Sequence, residues 1–239
     1  VCPVEPDLRF LHPAPMSHVA AMTAVLSYTT AGATHVILPR FDPALVVDAV
    51  VAERINMSLL VPTMVDFVDR YLQARPADMS SLRKLIYGAS PISEALLRRA
   101  MKSLPNVRFY QGYGQTEMSG GVVILPAECH AVEGPQARLL RAAGRAGPGT
   151  DIRVVDAQMQ ELPRGQVGEV VARGPTVMLG YWRQPEQTAA VMHEGWLRSG
   201  DAGYMDEEGF VFLVDRMKDM IVTGGENVYS AEVENALAQ

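Results

Sequence analysis

The segment Tyr113–Glu117 brings together groups that could hold a nucleotide and a metal ion. Tyr113 offers an aromatic face on which a base can stack, and Gly114 lets the backbone approach a ligand closely. The Thr116 hydroxyl can donate to a phosphate oxygen. Glu117 carries a hard oxygen ligand that suits Mg²⁺ bound to phosphate. The structural alternative is a glycine turn followed by a helix whose first-turn glutamate favours the helix dipole, and short motifs match by chance often enough to keep both open.

A second carboxylate follows a glycine in Ser199–Asp201. An aspartate is a natural acceptor for the two hydroxyls of a ribose. The same tripeptide, taken alone, is typical of an Asx-turn. Arg216 stands beside Asp215 and could form a surface ion pair that contributes little to stability. These residues alone therefore do not separate a nucleotide site from ordinary turns.

The first half of the chain alternates predicted helices and strands. Asp42-Pro43, Pro62 and Pro91 each favour a helix start, the first helix running through Ile55 and the third through Leu104. Short apolar runs predict strands between them, at Met57–Val61, Leu85–Tyr87 and Val107–Tyr110. This alternation predicts βαβ units on a largely parallel sheet.

Two loops should lie at the carboxyl ends of these strands, where such sheets bind ligands. One is Gly88–Pro91 and the other is Gln111–Glu117. Every α/β protein has loops of this kind, so their position alone does not establish a binding site.

The second half is rich in glycine and predicts a different architecture. Of 20 glycines, only Gly32 and Gly88 precede position 112. The glycines separate short β-type runs, at Asp151–Val155, Gly168–Arg173, Phe210–Val214 and Met220–Thr223. They predict a small barrel or twisted antiparallel sheet, with one short helix after Pro185 and a last helix at the end of the chain.

Composition excludes several classes of function. The 239 residues carry a net charge of −6, which argues against a nucleic-acid partner. Cys2 and Cys129 are far apart, which disfavours a zinc ribbon or disulfide framework and fits a reducing, cytoplasmic setting. Apolar runs such as Ala44–Ala52, interrupted by Asp48, are too short to be an integral membrane segment.

Six segments, in order, resemble the motifs of the adenylate-forming or AMP-binding superfamily, and the resemblance extends from about Leu11 to the end. This superfamily includes acyl-CoA synthetases, firefly-type luciferases and the adenylation domains of peptide synthetases. The segments are Tyr113–Glu117, Gly144–Asp156, Gly168–Glu186, Gly195–Asp201, Asp215–Ile221 and Gly224–Tyr229. Six linked motifs are far more specific than one.

The resemblance implies an α/β fold with three parts. Residues 1–140 would be the layered βαβ part of the large domain, and 141–215 its small β-barrel-like part. Residues 216–239 would be a hinge at Lys218 and the start of a small C-terminal domain.

The resemblance also implies roles for the residues that match. Tyr113 would stack on adenine, Thr116 would contact the α-phosphate and Glu117 would ligate Mg²⁺. Asp201 would bind the ribose hydroxyls with the help of Arg216. The rest of the nucleotide-binding set would be Gly88, Ala89, Ser90, Gln111, Gly112, Gly114 and Gln115, and Gly224 and Gly225 would lie near the coenzyme A tunnel.

His18 has two interpretations. Pro15–His18 resembles a family segment whose histidine borders the acyl pocket and would act in catalysis. The alternative is a partly buried histidine near a helix start.

The implied reaction has two steps. The carboxylate of a small-molecule acid attacks the α-phosphorus of ATP, giving an acyl-adenylate and pyrophosphate. The thiol of coenzyme A then displaces AMP to form a thioester. The Met and Ala content suggests an apolar acid, although methionine also fills cores.

The sequence departs from the family in four places. The phosphate loop expected before the His18 region is absent, and so is the C-terminal lysine that promotes adenylation. Ser199 replaces Thr, and Ser230 stands where Pro is usual. We therefore expect a fragment of a larger synthetase that cannot adenylate by itself. The alternative is a truncated, catalytically silent nucleotide-binding or interaction module.

Overall fold

The computed structural model describes residues 5, 7–217, 221–223 and 226–228. The chain forms two compact units. The first comprises Val1–Gly112 and Leu125–Leu140, and the second comprises Tyr113–Ile124 and Arg141–Gln239. The α/β fold class predicted from the sequence is confirmed.

The first unit is a parallel sheet with helices between its strands. Its strands are β1 (Arg9–His12), β2 (Thr34–Ile37), β3 (Met57–Leu60), β4 (Lys84–Gly88) and the first part of β5 (Arg108–Gln115). They lie in the order β2-β1-β3-β4-β5, and each neighbouring pair is parallel. The helices are α1 (Val19–Thr30), α2 (Pro43–Glu53), α3 (Pro62–Ala74) and α4 (Glu94–Ser103). The predicted βαβ arrangement is therefore confirmed.

Local sequence sets where these helices begin. The Asp42 side chain accepts a hydrogen bond of 2.9 Å from the Ala44 amide and so caps α2. The third predicted helix begins later than its proline suggested, at Glu94 instead of Pro91. The reason is Ser93, whose hydroxyl accepts from the Leu96 amide at 3.2 Å and defines the cap.

The core of the first unit lies between β4, β5 and the helices that cover them. Leu85 and Tyr87 of β4 and Phe109 of β5 are almost fully buried. They pack in one cluster with Leu97 and Ala100 of α4. This packing fixes the strand ends from which the first predicted loop departs.

The second unit is built on antiparallel strands. A five-stranded sheet contains β8 (Asp151–Val155), β9 (Gly168–Arg173), β10 (Met192–His193), β11 (Trp196–Met205) and β12 (Val211–Arg216). Two short antiparallel pairs join β6 (Gly120–Leu125) to β7 (Arg145–Ala146), and β13 (Ile221–Thr223) to β14 (Glu226–Val228). Helix α5 (Pro185–Val191) begins at the predicted proline. The predicted antiparallel sheet is confirmed.

Two predicted turns are strands instead. Strand β5 continues through Gln115, so the segment expected as a loop is extended until a 3₁₀ turn at Thr116–Met118. Gly114 allows this, because a Cβ there would collide with the carbonyl oxygen of Gly120. Ser199–Asp201 likewise lies inside β11, where Gly200 has a φ of +72°. The β11–β9 register shifts between Arg198 and Ala202, as at a β-bulge.

Among the helices of the described residues, none has both the length and the apolar character needed to cross a membrane.

Candidate functional site

Asp201 is the centre of a small polar cluster in the second unit. The Tyr113 hydroxyl donates to Asp201 Oδ2 at 2.7 Å. Arg216 Nε lies 2.8 Å from Asp201 Oδ1. Asp201 and Arg216 are direct partners across β11 and β12, so the sheet register itself sets this ion pair. The structure thus brings together three of the residues selected from the sequence.

Burial dominates the electrostatics of this cluster. Asp201 is only 7% exposed, and burial raises the pKa of its carboxyl group. The Tyr113 hydrogen bond and the Arg216 charge oppose that rise. Burial also raises the pKa of the Tyr113 hydroxyl, assisted by the Asp201 charge. The Tyr113 hydroxyl therefore remains a hydrogen-bond donor, and the Asp201 carboxylate can accept a hydrogen bond from a further donor.

A second set of hydrogen bonds holds the backbone around Asp201. The Ser199 hydroxyl donates to the Val170 carbonyl at 2.6 Å and accepts from the Asp201 amide at 3.0 Å. Ser199 thus uses the hydroxyl that it shares with the threonine usual in the family motif.

Glu169 was not selected from the sequence, yet it supports the same strand. Its Oε1 accepts from the Gly200 amide at 3.0 Å, and its Oε2 lies 2.6 Å from Arg198 Nη2. The side chain is buried. Its signal in the sequence was a carboxylate at the start of an otherwise apolar strand, where an acid needs a partner.

Thr116 and Glu117 occupy the 3₁₀ turn that follows β5. Thr116 is exposed, and Glu117 is half-buried. Glu117 Oε1 accepts a hydrogen bond of 2.8 Å from the Tyr181 hydroxyl. The same contact raises the pKa of Tyr181, because Glu117 favours the protonated phenol. Tyr181 is a second residue to which the sequence analysis assigned no role, although it lies within the Gly168–Glu186 motif.

Glu117 offers a carboxylate oxygen, the kind of ligand that Mg²⁺ takes in proteins. Within the described part of the chain, no group of three or more His, Cys, Asp or Glu residues could form a cage. Mg²⁺ is commonly held by one or two carboxylates, with substrate phosphates and water as its other ligands. A single carboxylate with one oxygen already hydrogen-bonded is consistent with that mode.

The other members of the β5 segment serve the strand itself. Gln115 Nε2 donates to the Ser199 carbonyl at 3.3 Å and so ties β5 to β11. Gly114 makes its close approach to Gly120 of the same chain. Gly114 is therefore needed for close packing between backbone segments, and its expected place beside a ligand stays a prediction.

The predicted residues at the end of β4 in the first unit are notable for their backbone, not for charged side chains. Gly88 and Gly112 are partners across β4 and β5, and a Cβ on Gly88 would collide with the Gly112 carbonyl oxygen. Ala89 adopts a left-handed φ of +67°, which costs a residue with a side chain about 1–2 kcal/mol. Ala89 and Ser90 are both exposed. Strain at an exposed strand exit is typical of functional loops.

Gln111 ends a buried hydrogen-bonded chain in the first unit. It lies beside Tyr87, whose hydroxyl is 3.1 Å from Gln111 Oε1 and 2.9 Å from His130 Nε2. Burial lowers the pKa of His130 to about 4, so this ring is neutral at physiological pH.

His18 is exposed at the N-cap of α1, where its side chain makes no capping bond. The alternative placed His18 near a helix start, which is confirmed, and partly buried it, which is wrong; the role at an acyl pocket stays a prediction. The predictions for Lys218, Gly224 and Gly225, and that of a last helix, lie outside the described residues.

Comparison with known proteins decides the family. Residues 2–182 match the family described as AMP-binding enzyme. The chain belongs to this family. The match includes Tyr113, Glu117 and Tyr181 and ends before Asp201.

Members of the family resemble the chain over almost its whole length. Feruloyl-CoA synthase from Amycolatopsis sp is 41% identical over 232 residues, which is 97% of this chain and 46% of that protein. The amide bond synthetase McbA from Marinactinospora thermotolerans superposes with a TM-score of 0.88 and 36% identity, covering 97% of this chain and 46% of McbA.

A third relative was solved with a nucleotide. The o-succinylbenzoate coenzyme A synthetase MenE from Bacillus subtilis, in complex with ATP and magnesium ion, has a TM-score of 0.86 and 30% identity. The match covers 99% of this chain and 47% of MenE. The chain therefore spans about half the length of the relatives that it matches.

Proposed function

We propose that the protein containing this chain activates a carboxylic acid with ATP, forming an acyl-adenylate and pyrophosphate, and then transfers the acyl group to coenzyme A. The observation that carries the proposal is the buried Asp201, whose oxygens meet the Tyr113 hydroxyl and Arg216 Nε at 2.7 and 2.8 Å. A carboxylate offers about four acceptor positions, so two remain for the hydroxyls of a ribose.

The side chains around Asp201 would hold the adenosine part of ATP. Tyr113 would present its ring to adenine, and its hydroxyl would keep Asp201 oriented. Arg216 would balance the charge of the acid. The strained exit at Gly88–Ser90 and the adjoining Gln111 and Gly112 would contribute backbone groups toward adenine and the acyl carboxylate.

Glu117 would hold Mg²⁺ and Thr116 would donate to the α-phosphate. When bound, Mg²⁺ offsets the repulsion between the incoming carboxylate and the triphosphate. The remaining work of this chain is positioning, because an acid and a phosphate anion react only when they are held in line and dehydrated. His18 would border the acyl group at the start of α1.

Coenzyme A is the proposed acceptor because relatives across the family are named as coenzyme A synthases and ligases. The resemblance adds a hinge at Lys218 and a pantetheine path near Gly224 and Gly225. A silent nucleotide-binding module is the less favoured reading, since the charged cluster around Asp201 and the Glu117 carboxylate are both present.

The decisive experiment is ATP–pyrophosphate exchange by the intact protein with a panel of aryl and fatty acids. We expect exchange that depends on both an acid and Mg²⁺, followed by thioester formation when coenzyme A is added. Exchange without a thioester, together with an amide when an amine is supplied, would replace the proposed acceptor. No exchange with any acid and no binding of ATP would overturn the proposal.

A further inference from the structure

The loop between β9 and α5, Gly174–Gln184, contacts the turn that carries Glu117 at three points; we call it the clamp loop. The Ser119 hydroxyl donates to the Thr176 carbonyl at 2.8 Å. The Met178 amide donates to the Glu117 carbonyl, also at 2.8 Å. The third contact joins the Tyr181 hydroxyl to Glu117 Oε1 at 2.8 Å. Backbone and side chain of Glu117 are therefore both held by one loop.

Helix α5 holds the clamp loop through the backbone amide of Tyr181. The Tyr181 amide donates to Thr188 Oγ1 at 2.9 Å, and the Thr188 hydroxyl donates to the Gln184 carbonyl at 2.8 Å. Gly180 is required here, because a Cβ on it would lie 2.8 Å from Thr188 Cγ2. The tyrosine ring is thus anchored from its own backbone, independently of Glu117.

Tyr181 is less exposed than the large apolar residues on either side of it. Leu179 is fully exposed, and Trp182 is 83% exposed. Tyr181 lies between them and is half-buried, with its hydroxyl directed to a carboxylate. A hydrogen bond to an ionised acceptor is stronger than one between neutral groups.

We propose that Tyr181 is a positioning residue for Glu117: its hydroxyl holds Oε1 so that Oε2 faces the metal–triphosphate. The inference rests on the proposed role of Glu117. Within the described part of the chain, Oε1 is the only side-chain oxygen of Glu117 that accepts a hydrogen bond. Carboxylates that ligate metals are themselves commonly hydrogen-bonded, and losing that partner lowers metal affinity by about 10- to 100-fold.

The test is Tyr181→Phe in the intact protein, which removes one oxygen and keeps the ring. Isothermal titration calorimetry would give the dissociation constant of ATP with Mg²⁺ and with EDTA, in the absence of any acid. We expect the ratio of the EDTA constant to the Mg²⁺ constant to fall by about tenfold, while affinity in EDTA and the melting temperature stay unchanged. Tyr71→Phe, on α3 of the first unit, is the matched control and should change none of these values.

Each other outcome counts against the proposal. A wild-type ratio in Tyr181→Phe would overturn the positioning role alone, provided that Glu117→Gln lowers the ratio. Tighter Mg²⁺-dependent binding in Tyr181→Phe would also overturn it, because the hydroxyl would then compete with the metal. A wild-type ratio in Glu117→Gln would overturn both the metal role and the inference.

Discussion

The two units hold their candidate residues by different means. In the second unit, charged side chains are fixed by hydrogen bonds to neighbouring strands and loops, as Asp201 is by Tyr113 and Glu117 by Tyr181. In the first unit, the candidate residues are distinguished by their backbone: Gly88 packs closely against Gly112, and Ala89 has a left-handed φ. Under the proposed function, the second unit would recognise charge and the first would supply shape.

The buried ionisable groups differ in the same way. The first unit buries histidines whose pKa values are lowered, His12 and His130, so they are kept neutral. The second unit buries Asp201, whose pKa is raised although a positive charge lies beside it. The first unit therefore keeps these two imidazoles uncharged, whereas the second keeps a buried acid beside an arginine.

Removing the charge of Glu117 is the strongest test of this contrast. Glu117→Gln should reduce ATP–pyrophosphate exchange by about 100-fold or more, since loss of an outer partner alone costs about 10- to 100-fold in metal affinity. The measurement is the exchange rate of the intact protein at saturating acid and varied Mg²⁺. The exposed Glu207→Gln is the control and should exchange at the wild-type rate. Full exchange by Glu117→Gln would contradict the proposal that Glu117, in the second unit, binds Mg²⁺.

Much of the fold could be predicted from the sequence. The alternation of apolar runs predicted the parallel sheet, and Asp42 marked a helix start that its capping bond explains. The pairing of Tyr113 with Asp201 spans 88 positions, and only the family resemblance joined them. Local patterns cannot supply a contact between residues so far apart.

The rest depended on packing that the sequence does not display. Strand β5 extends through Gln115 because Gly114 fits against Gly120, a contact between two backbones. Tyr181 reaches Glu117 only because Thr188 anchors the clamp loop from a neighbouring helix. Side chains that act on another side chain carry no spacing signal of their own.

Lowering the pH should affect the first unit through His12. This ring is 2% exposed, with Nε2 2.7 Å from His35 Nδ1. Burial, followed by the His35 charge, lowers the pKa of His12 from 6.5 to about 4. The unfolded chain therefore takes up the proton first, and stability that is full above the unfolded pKa is lost as pH falls toward the folded one. The loss is about 1.4 kcal/mol per pH unit for one such group.

The check is the pH slope of the unfolding free energy in His12→Gln. We expect the wild-type slope between these two pKa values to become shallower by about one proton's worth, even if the variant is less stable at neutral pH. His193→Gln, at an exposed position of the second unit, should keep the wild-type slope. An unchanged slope in His12→Gln would show that the histidine is already protonated in the fold.

The smallest change is expected for Asp201. Replacing this acid should weaken ATP binding without lowering the stability of the fold. Its pKa is raised, so its contribution to stability is present below the unfolded pKa and is lost as pH rises through the folded one. Asp201→Asn removes this cost at neutral pH and keeps an oxygen for the Tyr113 hydroxyl, while Arg216, whose side chain is 53% exposed, remains hydrated. We therefore expect an unfolding free energy equal to or above wild type, with ATP binding weakened by about 1–3 kcal/mol.

Calorimetry of ATP binding and denaturant unfolding of the same Asp201→Asn protein separate the two possible roles of this acid. Asp151→Asn, which loses only an exposed ion pair with Arg173, is the matched control and should leave ATP affinity unchanged. If Asp201→Asn instead loses stability and keeps its ATP affinity, the acid serves the sheet, and the contrast between the units fails. Weaker binding in a protein of undiminished stability is the result that only a recognition role produces, because a carboxylate retained against its own desolvation must be repaid by a ligand.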